Sequence, residues 1–251
     1  MKLTQDVYEE TRKAAIAYGV PELALKMGIG NPGVLYNKLN HGDSCSHHKL
    51  TLADLIQIIT ITGNTVTSRN PAVQLDLGGY GKGYALDRAA AILKAHGVGN
   101  ALINIGGNVL ALGSKGDLPW RVGIQNPRKP QPLASLPLRD GEAIGTSGDY
   151  QRFFEMDGER YCHLLDPRSG RPARGTQAVT VLITPRPGAG TLSDAASKPV
   201  YLGGEGWRDY ARRFGIDHAL RVDADGRLQV TRALHDRLQY GEGAGQPRVL
   251  D

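Results

Sequence analysis

Apolar residues recur at two different spacings along the chain, helical up to about residue 63 and largely alternating after it. VYEETRKAAIAYG puts Val7, Thr11, Ala14, Ala15 and Tyr18 at helical spacing and stops at Gly19. PELALKMG predicts a short helix opened by Pro21 and closed by Gly28. NPGVLYNKLN predicts a third, with Val34, Leu35 and Leu39 on one face. TLADLIQIITITG predicts a fourth, with Thr51 as N-cap and Asp54 three residues on as a weak capping box.

From Asn64 the texture changes. NTVTSRNPAVQLDLGG alternates and is rich in β-branched residues, which predicts a strand or hairpin. GYALDRAAAILKAHGVG predicts an amphipathic helix with Leu86, Ala89, Ala90 and Leu93 inward and Gly97 at its end. NALINIGGNVLALG reads as strand, glycine turn, strand, and WRVGIQNPR as a strand ending at Pro127. AIGTSGDYQRFFEMDGERYCHLLDPRSGRPA predicts three strands, the last two joined by an Asp-Gly turn. TQAVTVLIT is a further strand, TLSDAASKPVYLGGEGWRDYARRFG two helices split by glycines, and HALRVDADGRLQVTRAL a closing hairpin. The order predicts an α+β domain over residues 64–251, preceded by a helical segment over 1–63.

Composition narrows this picture. A hydrophobic share of 40% over 251 residues is globular and argues against disorder. The 33 glycines are spread among short apolar runs, which points to tight turns and not to a low-complexity tract. A net charge of +5 fits anionic partners such as phosphates or nucleic acid. Cys45 and Cys162 are the only cysteines, so no disulfide framework is expected. The opening MKLTQDVYEETRK has no apolar core of a secretory signal, and no run is long and apolar enough to span a bilayer. The expected location is cytoplasmic.

The segment DLGGYGKGYALD concentrates the candidate chemistry. A glycine-rich turn at Gly78, Gly79 and Gly81 before a helix exposes backbone N–H groups, and Lys82 adds a full positive charge. The arrangement suits a phosphate or pyrophosphate. It matches neither the Walker pattern nor the dinucleotide fingerprint, so a tight turn with a solvated lysine remains the alternative. Cys45 to His48, CSHH, lacks a second ligand cluster and reads as a polar loop.

LYNKLN followed by HKLTLADLIQIITITG resembles the phage CII-type regulatory proteins. That resemblance implies a helix-turn-helix with a recognition helix around Val34 to Leu39, and DNA as a partner of residues 1–63. Charge does not reinforce it. Lys2, Arg12, Lys13, Lys26, Lys38 and Lys49 are balanced by Asp6, Glu9, Glu10, Glu22, Asp43 and Asp54, whereas DNA modules carry a basic face.

The succession DLGGYGKGYALD, NALINIGGNVLALG, WRVGIQNP, TSGDYQRFF, HLLDPRSGRPA and SDAAS resembles the ApbE family of FAD:protein FMN transferases, from about Val66 onward. The resemblance implies a T-fold-like ApbE domain that splits FAD at its pyrophosphate. FMN would pass to a threonine or serine of an acceptor protein, with release of AMP and with magnesium as cofactor. It implies Lys82 against the pyrophosphate, with Gly78, Gly79 and Gly81 letting backbone come close. Gly106, Gly107 and Asn108 would lie beside the flavin or adenine, and Thr146, Ser147 and Gly148 would donate hydrogen bonds. His163 and Asp166 fall in a His-x-x-Asp-Pro motif. His163 would act as a base toward the acceptor or bind the ligand, while Asp166, before Pro167, is alternatively a turn residue.

Asp194 matches the family's magnesium-binding aspartate. The threonine expected four residues later as a second ligand is Lys198, which while protonated has no lone pair to coordinate a metal. Asp194 and Lys198 face each other at helical i,i+4 spacing. Either the ammonium replaces the metal's charge, or the catalysis is lost, or the pair is a plain salt bridge. The family usually carries a longer portion before the glycine motif, where residues 1–63 stand here. Two functions follow: a flavin transferase acting through Lys82, His163 and Asp194, or a catalytically weak flavin- or nucleotide-binding regulator whose first segment binds DNA or a protein.

Overall fold

The computed structural model describes residues 77–251 throughout and, before them, the backbone of two strands, β1 (Ile59–Thr62) and β2 (Thr65–Ser68). The helices expected over residues 1–58, the recognition segment Val34 to Leu39 and the loop Cys45 to His48 lie outside the described residues. β1 corrects the fourth helix at its C-terminal end. Ile59-Thr60-Ile61-Thr62 is β-branched at every position, which favours a pleated strand over a helical turn. It pairs antiparallel with β2, Thr62 opposite Thr65, across the boundary expected between residues 63 and 64. The chain divides into compact units between Asp76 and Leu77.

The unit from Leu77 is α+β. It begins with α1 (Gly81–Ala95), then β3 (Ala101–Ile105), β4 (Asn108–Leu112), β5 (Trp120–Gln125), β6 (Pro132–Leu138) and β7 (Ala143–Gly148). Two small pairs follow, β8 (Phe153–Met156) with β9 (Glu159–Cys162) and β10 (Leu165–Asp166) with β11 (Arg171–Pro172). Next come β12 (Thr176–Ile183), α2 (Ala189–Leu202), a 3-10 turn at Gly204–Gly206 and α3 (Trp207–Arg213). The chain closes with β13 (His218–Asp223), β14 (Leu228–Thr231), α4 (Arg232–His235), β15 (Gln239–Tyr240) and β16 (Arg248–Leu250).

Seven strands form the main sheet in the order β16-β14-β13-β12-β7-β4-β3, antiparallel except for β14 with β16. Both faces are covered, which is why β4 and β12 are buried at every position. One face packs on the helices. Leu110, Leu112, Ala143, Val179 and Val181 meet Leu86 of α1, Ala196 and Val200 of α2 and Trp207 of α3. The other face packs on the three-stranded sheet β15-β6-β5, through Val109, Ile144, Leu182 and Leu220 against Ile124, Leu136 and Leu138. Fully burying one such side chain stabilises by roughly 1.5–3 kcal/mol, so the two interfaces hold the sheet between them.

Strand alternation therefore assigns every residue of β7 to one layer or the other. Ala143 packs with the helices and Ile144 with the small sheet. Gly145 and Ser147 share the face of Ala143, and Thr146 the face of Ile144.

β6 was not expected, because Pro132 and Pro137 interrupt its pattern. Both are tolerated there. Pro132 opens the strand, and β15 pairs with β6 only at Ala134 and Ser135, leaving Pro137 on a locally free edge. The short α4, β15 and β16 were not expected either. The Asp-Gly turn between β8 and β9 is as expected, with Asp157 and Gly158 both at positive φ, 53° and 76°.

A buried ion pair ties the loop before β7 to the segment after α4. Arg237 donates from both terminal nitrogens to Glu142, each at 2.7 Å, and Glu142 also accepts the Arg139 N–H at 2.8 Å. Burial pushes the Glu142 carboxyl up, but Arg237 and the Arg139 amide outweigh it and hold the group below the usual carboxylate range.

Candidate functional site

Helices α1 and α2 approach so closely at Gly83 and Gly190 that neither position admits a side chain. A Cβ on Gly83 would lie 2.3 Å from the Gly190 carbonyl oxygen, and one on Gly190 would lie 2.7 Å from that of Gly83. Neither helix has a capping side chain of its own, since Tyr80 and Gly188 occupy the N-cap positions without one. Each receives a carboxylate from the other instead. Asp87 of α1 accepts the N–H groups of Gly190 and Thr191 at 2.8 and 2.7 Å and the Thr191 hydroxyl at 2.6 Å. Asp194 of α2 accepts the Gly83 N–H at 3.0 Å through Oδ2. A carboxylate at a helix N-terminus both satisfies an orphan donor and complements the helix dipole.

Asp194 has more around it than Asp87. Its side chain is fully buried, and its Oδ1 accepts a hydrogen bond from the Lys198 ammonium. Lys198 donates a second bond to the Asp194 carbonyl oxygen at 2.7 Å, so the ammonium is held by both side chain and backbone of one residue. Burial pushes the Asp194 carboxyl up, yet Lys198, the Gly83 N–H and the nearby Lys82 together hold it below the usual range. Burial and the charge of Lys82 both push the Lys198 ammonium down, with Asp194 opposing. Lys198 is thus bonded to the carboxylate, and the charge of Lys82 acts on both.

The glycine motifs converge on these groups. The chain enters α1 through Gly78 and Gly79, with the Tyr80 and Gly81 N–H groups on the Leu77 carbonyl at 2.9 and 2.7 Å. The helix starts at Gly81, so Gly81 and Lys82 belong to its first turn and not to a preceding loop. A Cβ on Gly79 would touch Lys198 Cε at 3.4 Å. Gly106 and Gly107 turn the chain from β3 to β4 with φ of 57° and 89°, and Asn104 accepts the Gly107 N–H at 3.0 Å. A Cβ on Gly106 would lie 3.2 Å from Lys82 Cδ, so the lysine stem runs across this turn.

Asn108 and Ser147 complete the floor. Asn108 is buried and its Nδ2 has no hydrogen-bond partner among the described residues. It lies beside Gly145, where a Cβ would be 2.4 Å from the Ser193 carbonyl oxygen and 3.2 Å from that Nδ2. Ser147 bonds Ser197 hydroxyl to hydroxyl at 2.8 Å, and Ser197 donates to the Asp194 carbonyl at 2.8 Å.

Four expected residues are not joined to this group by their contacts. Thr146 bonds Thr180 across β7 and β12 at 2.9 Å, on the opposite face from Ser147. Gly148 packs on Tyr150, 2.3 Å from a would-be Cβ. His163 is exposed in the loop after β9, with its N–H and its Nδ1 on the Arg152 carbonyl at 3.0 and 3.2 Å. Asp166 ends β10 and opens the turn to β11. It accepts the Arg168 N–H at 2.9 Å, and the Arg168 guanidinium holds its carboxyl below the usual range. A separate cavity of about 370 Å³, lined among others by Gly175, Glu205, Asp223 and Arg248, contains none of the expected site residues.

Sequence reasoning missed Gly83, Asp87, Gly145, Gly190 and Ser197. Gly83 and Asp87 carried a signal, since they lie four apart on one helix face beside Leu86. Gly145 and Gly190 carried none, because their need for glycine arises from distant segments.

The model of the ApbE family matches residues 23–220, so most of the segment read as a DNA-binding module falls inside that match. The FAD:protein FMN transferase of Rhodobacter capsulatus is 46% identical over 186 residues, 74% of this chain and 35% of that protein. The one of Treponema pallidum is 36% identical over 189 residues, 70% of this chain and 51% of that protein. The chain therefore spans between about a third and a half of these two relatives. The ApbE protein of Thermotoga maritima superposes with a TM-score of 0.64 at 34% identity, over 72% of this chain and 59% of that one. The flavin transferase ApbE of Vibrio cholerae gives a TM-score of 0.63 at 26% identity, over 87% and 69%. Sequence and fold agree that this chain belongs to the ApbE family.

Proposed function

We propose that the chain is a FAD:protein FMN transferase that holds the FAD pyrophosphate at the N-terminus of α1. One observation carries this reading: the buried carboxylate that caps α1 at Gly83 is bonded to the Lys198 ammonium, and Lys82 precedes that capped amide, which puts two lysines and one carboxylate at a helix N-terminus. Such a place favours a phosphate anion. The family membership and the relatives named above supply the reaction class.

In this reading Lys82, in the first turn of α1, orients the pyrophosphate, and phosphoryl transfer asks for little beyond positioning and charge stabilisation. The acceptor hydroxyl oxygen bonds to the phosphorus of the FMN half. The bond from that phosphorus to the bridging oxygen breaks, AMP leaves with the bridging oxygen, and the hydroxyl proton passes to a base. His163 suits that role. Its Nδ1 faces a carbonyl oxygen, which fixes the proton there and leaves Nε2 able to accept another.

Magnesium, implied by the family resemblance, does not fit the residues present. Asp194 spends Oδ1 on the Lys198 ammonium and Oδ2 on the Gly83 N–H, and the position of the second ligand holds a cation. Among the described residues no group of three or more His, Cys, Asp or Glu gathers to hold a metal.

The test is incubation with FAD and a threonine-bearing acceptor peptide, with and without magnesium. The expected result is a mass gain of one FMN on the peptide and an equal amount of AMP. His163→Gln should still bind FAD but lose transfer by about 10²-fold or more, as for removal of a general base. Tight FAD binding with neither mass gain nor AMP would leave a flavin-binding protein and overturn the transferase.

A further inference from the structure

We infer that the Lys198 ammonium occupies the place of a divalent cation, so that a pyrophosphate is bound here between two lysines and without metal. The inference rests on the pyrophosphate reading above and adds how its charge is met.

Three features of the geometry support it. First, the ammonium is anchored twice to Asp194, on Oδ1 and on the backbone carbonyl oxygen. An ammonium has three donors, and these two bonds leave one for an anion. Second, the side chain is not sealed off, with 22% of its surface exposed while Asp194 beneath it has none. The absence of a side chain at Gly79 leaves room along the lysine stem, 3.4 Å from Cε. Third, the charges do not close among themselves. Lys198 is bonded to the one carboxylate here, and Lys82, next to the Gly83 amide that this carboxylate caps, brings a second positive charge.

A divalent ion would compete with this arrangement. It would have to displace the ammonium from Oδ1, and Oδ2 already serves the N-terminus of α1. A cation that bridges the carboxylate to a phosphate oxygen can be an ammonium, and the lysine is covalently present at every moment. The substitution therefore exchanges a dissociable charge of two for a permanent charge of one, with Lys82 supplying the second.

The experiment is calorimetric titration of the full chain with FAD and, separately, with inorganic pyrophosphate, in EDTA and in millimolar magnesium. Both ligands should bind in EDTA, with affinities within about twofold of those in magnesium. Lys198→Thr should bind them at least about tenfold more weakly in EDTA and recover in magnesium, and it should acquire a Mn²⁺ paramagnetic signal that the native chain lacks. Lys198→Arg keeps a cation and should retain metal-free binding, which guards against a variant that fails to fold. Native binding that requires magnesium, or a Lys198→Thr chain indifferent to it, overturns the inference and leaves the transferase reading intact. Pyrophosphate bound in EDTA without any FAD binding supports the inference and overturns the FAD reading instead. Failure of the native chain to bind either ligand overturns both.

Discussion

Asp87 and Asp194 perform the same local task in opposite directions, each capping the helix that the other sits on, and only one of them is surrounded by chemistry. Asp87 accepts three hydrogen bonds from two residues at the start of α2, and all of them are backbone or hydroxyl donors. Asp194 accepts one backbone bond and uses its other oxygen on a lysine, with a second lysine close by. The contrast separates a cap that closes a structure from a cap that leaves charge over. A carboxylate at a helix N-terminus is by itself a stability device. It becomes part of a ligand site when cations gather in excess of what it can neutralise.

The comparison is broken most severely at the crossing that both caps share. Gly83→Ala places a methyl 2.3 Å from a backbone oxygen and 2.7 Å from Asp194 Cβ, so the helices must part and both carboxylates lose their donors. The expected cost is about 3 kcal/mol in urea unfolding, with loss of nucleotide binding as well. Asp87→Ala should remove only the structural cap. It should cost about 2 kcal/mol while FAD affinity stays native, and an affinity loss equal to that of Lys82→Ala would erase the distinction between the two caps. Thr191→Val deletes one of the three donors to Asp87 without changing shape, and about 1 kcal/mol is expected in thermal unfolding.

A third carboxylate sharpens the contrast through pH. Glu142 is paired with Arg237 far in sequence but caps no helix, and its carboxyl is held below the usual range. A depressed folded value means that its stabilisation is present above the unfolded value of about 4.3 and is lost as pH falls through the folded one. Acid unfolding of Glu142→Gln should therefore show a shallower decline than the native chain over that window. An unchanged slope would mean that the pair contributes nothing to acid sensitivity.

Much of the unit from Leu77 was legible because its strands are long, apolar and separated by glycine turns. β12 and β4 read as strands, and the Asp-Gly turn fixed the hairpin of β8 and β9. β6 was hidden by prolines that are harmless only because of where its neighbours end. At Ile59–Thr62 the helical reading failed because four consecutive β-branched residues weigh more than spacing there. At the site, Lys82, Gly106, Asn108, Ser147, Asp194 and Lys198 were named from sequence and lie within one connected group. Thr146, Ser147 and Gly148 were read as one cluster, but the pleat sends Ser147 to the helices and Thr146 away from them. Asp87 showed in the sequence only as a polar residue one turn from Gly83, and what it caps was hidden because the amides it holds are 103 and 104 residues further along the chain.

The two-faced burial of β7 gives the site an odd-numbered address. Gly145 and Ser147 reach α2 only because they are an even step from Ala143, and the intervening Ile144 and Thr146 fill a different layer. Inserting or deleting a single residue early in this strand would invert that parity. On insertion isoleucine would press on the Ser193 carbonyl where only glycine fits. The strand can tolerate exchanges of side chain far more readily than any change in its count.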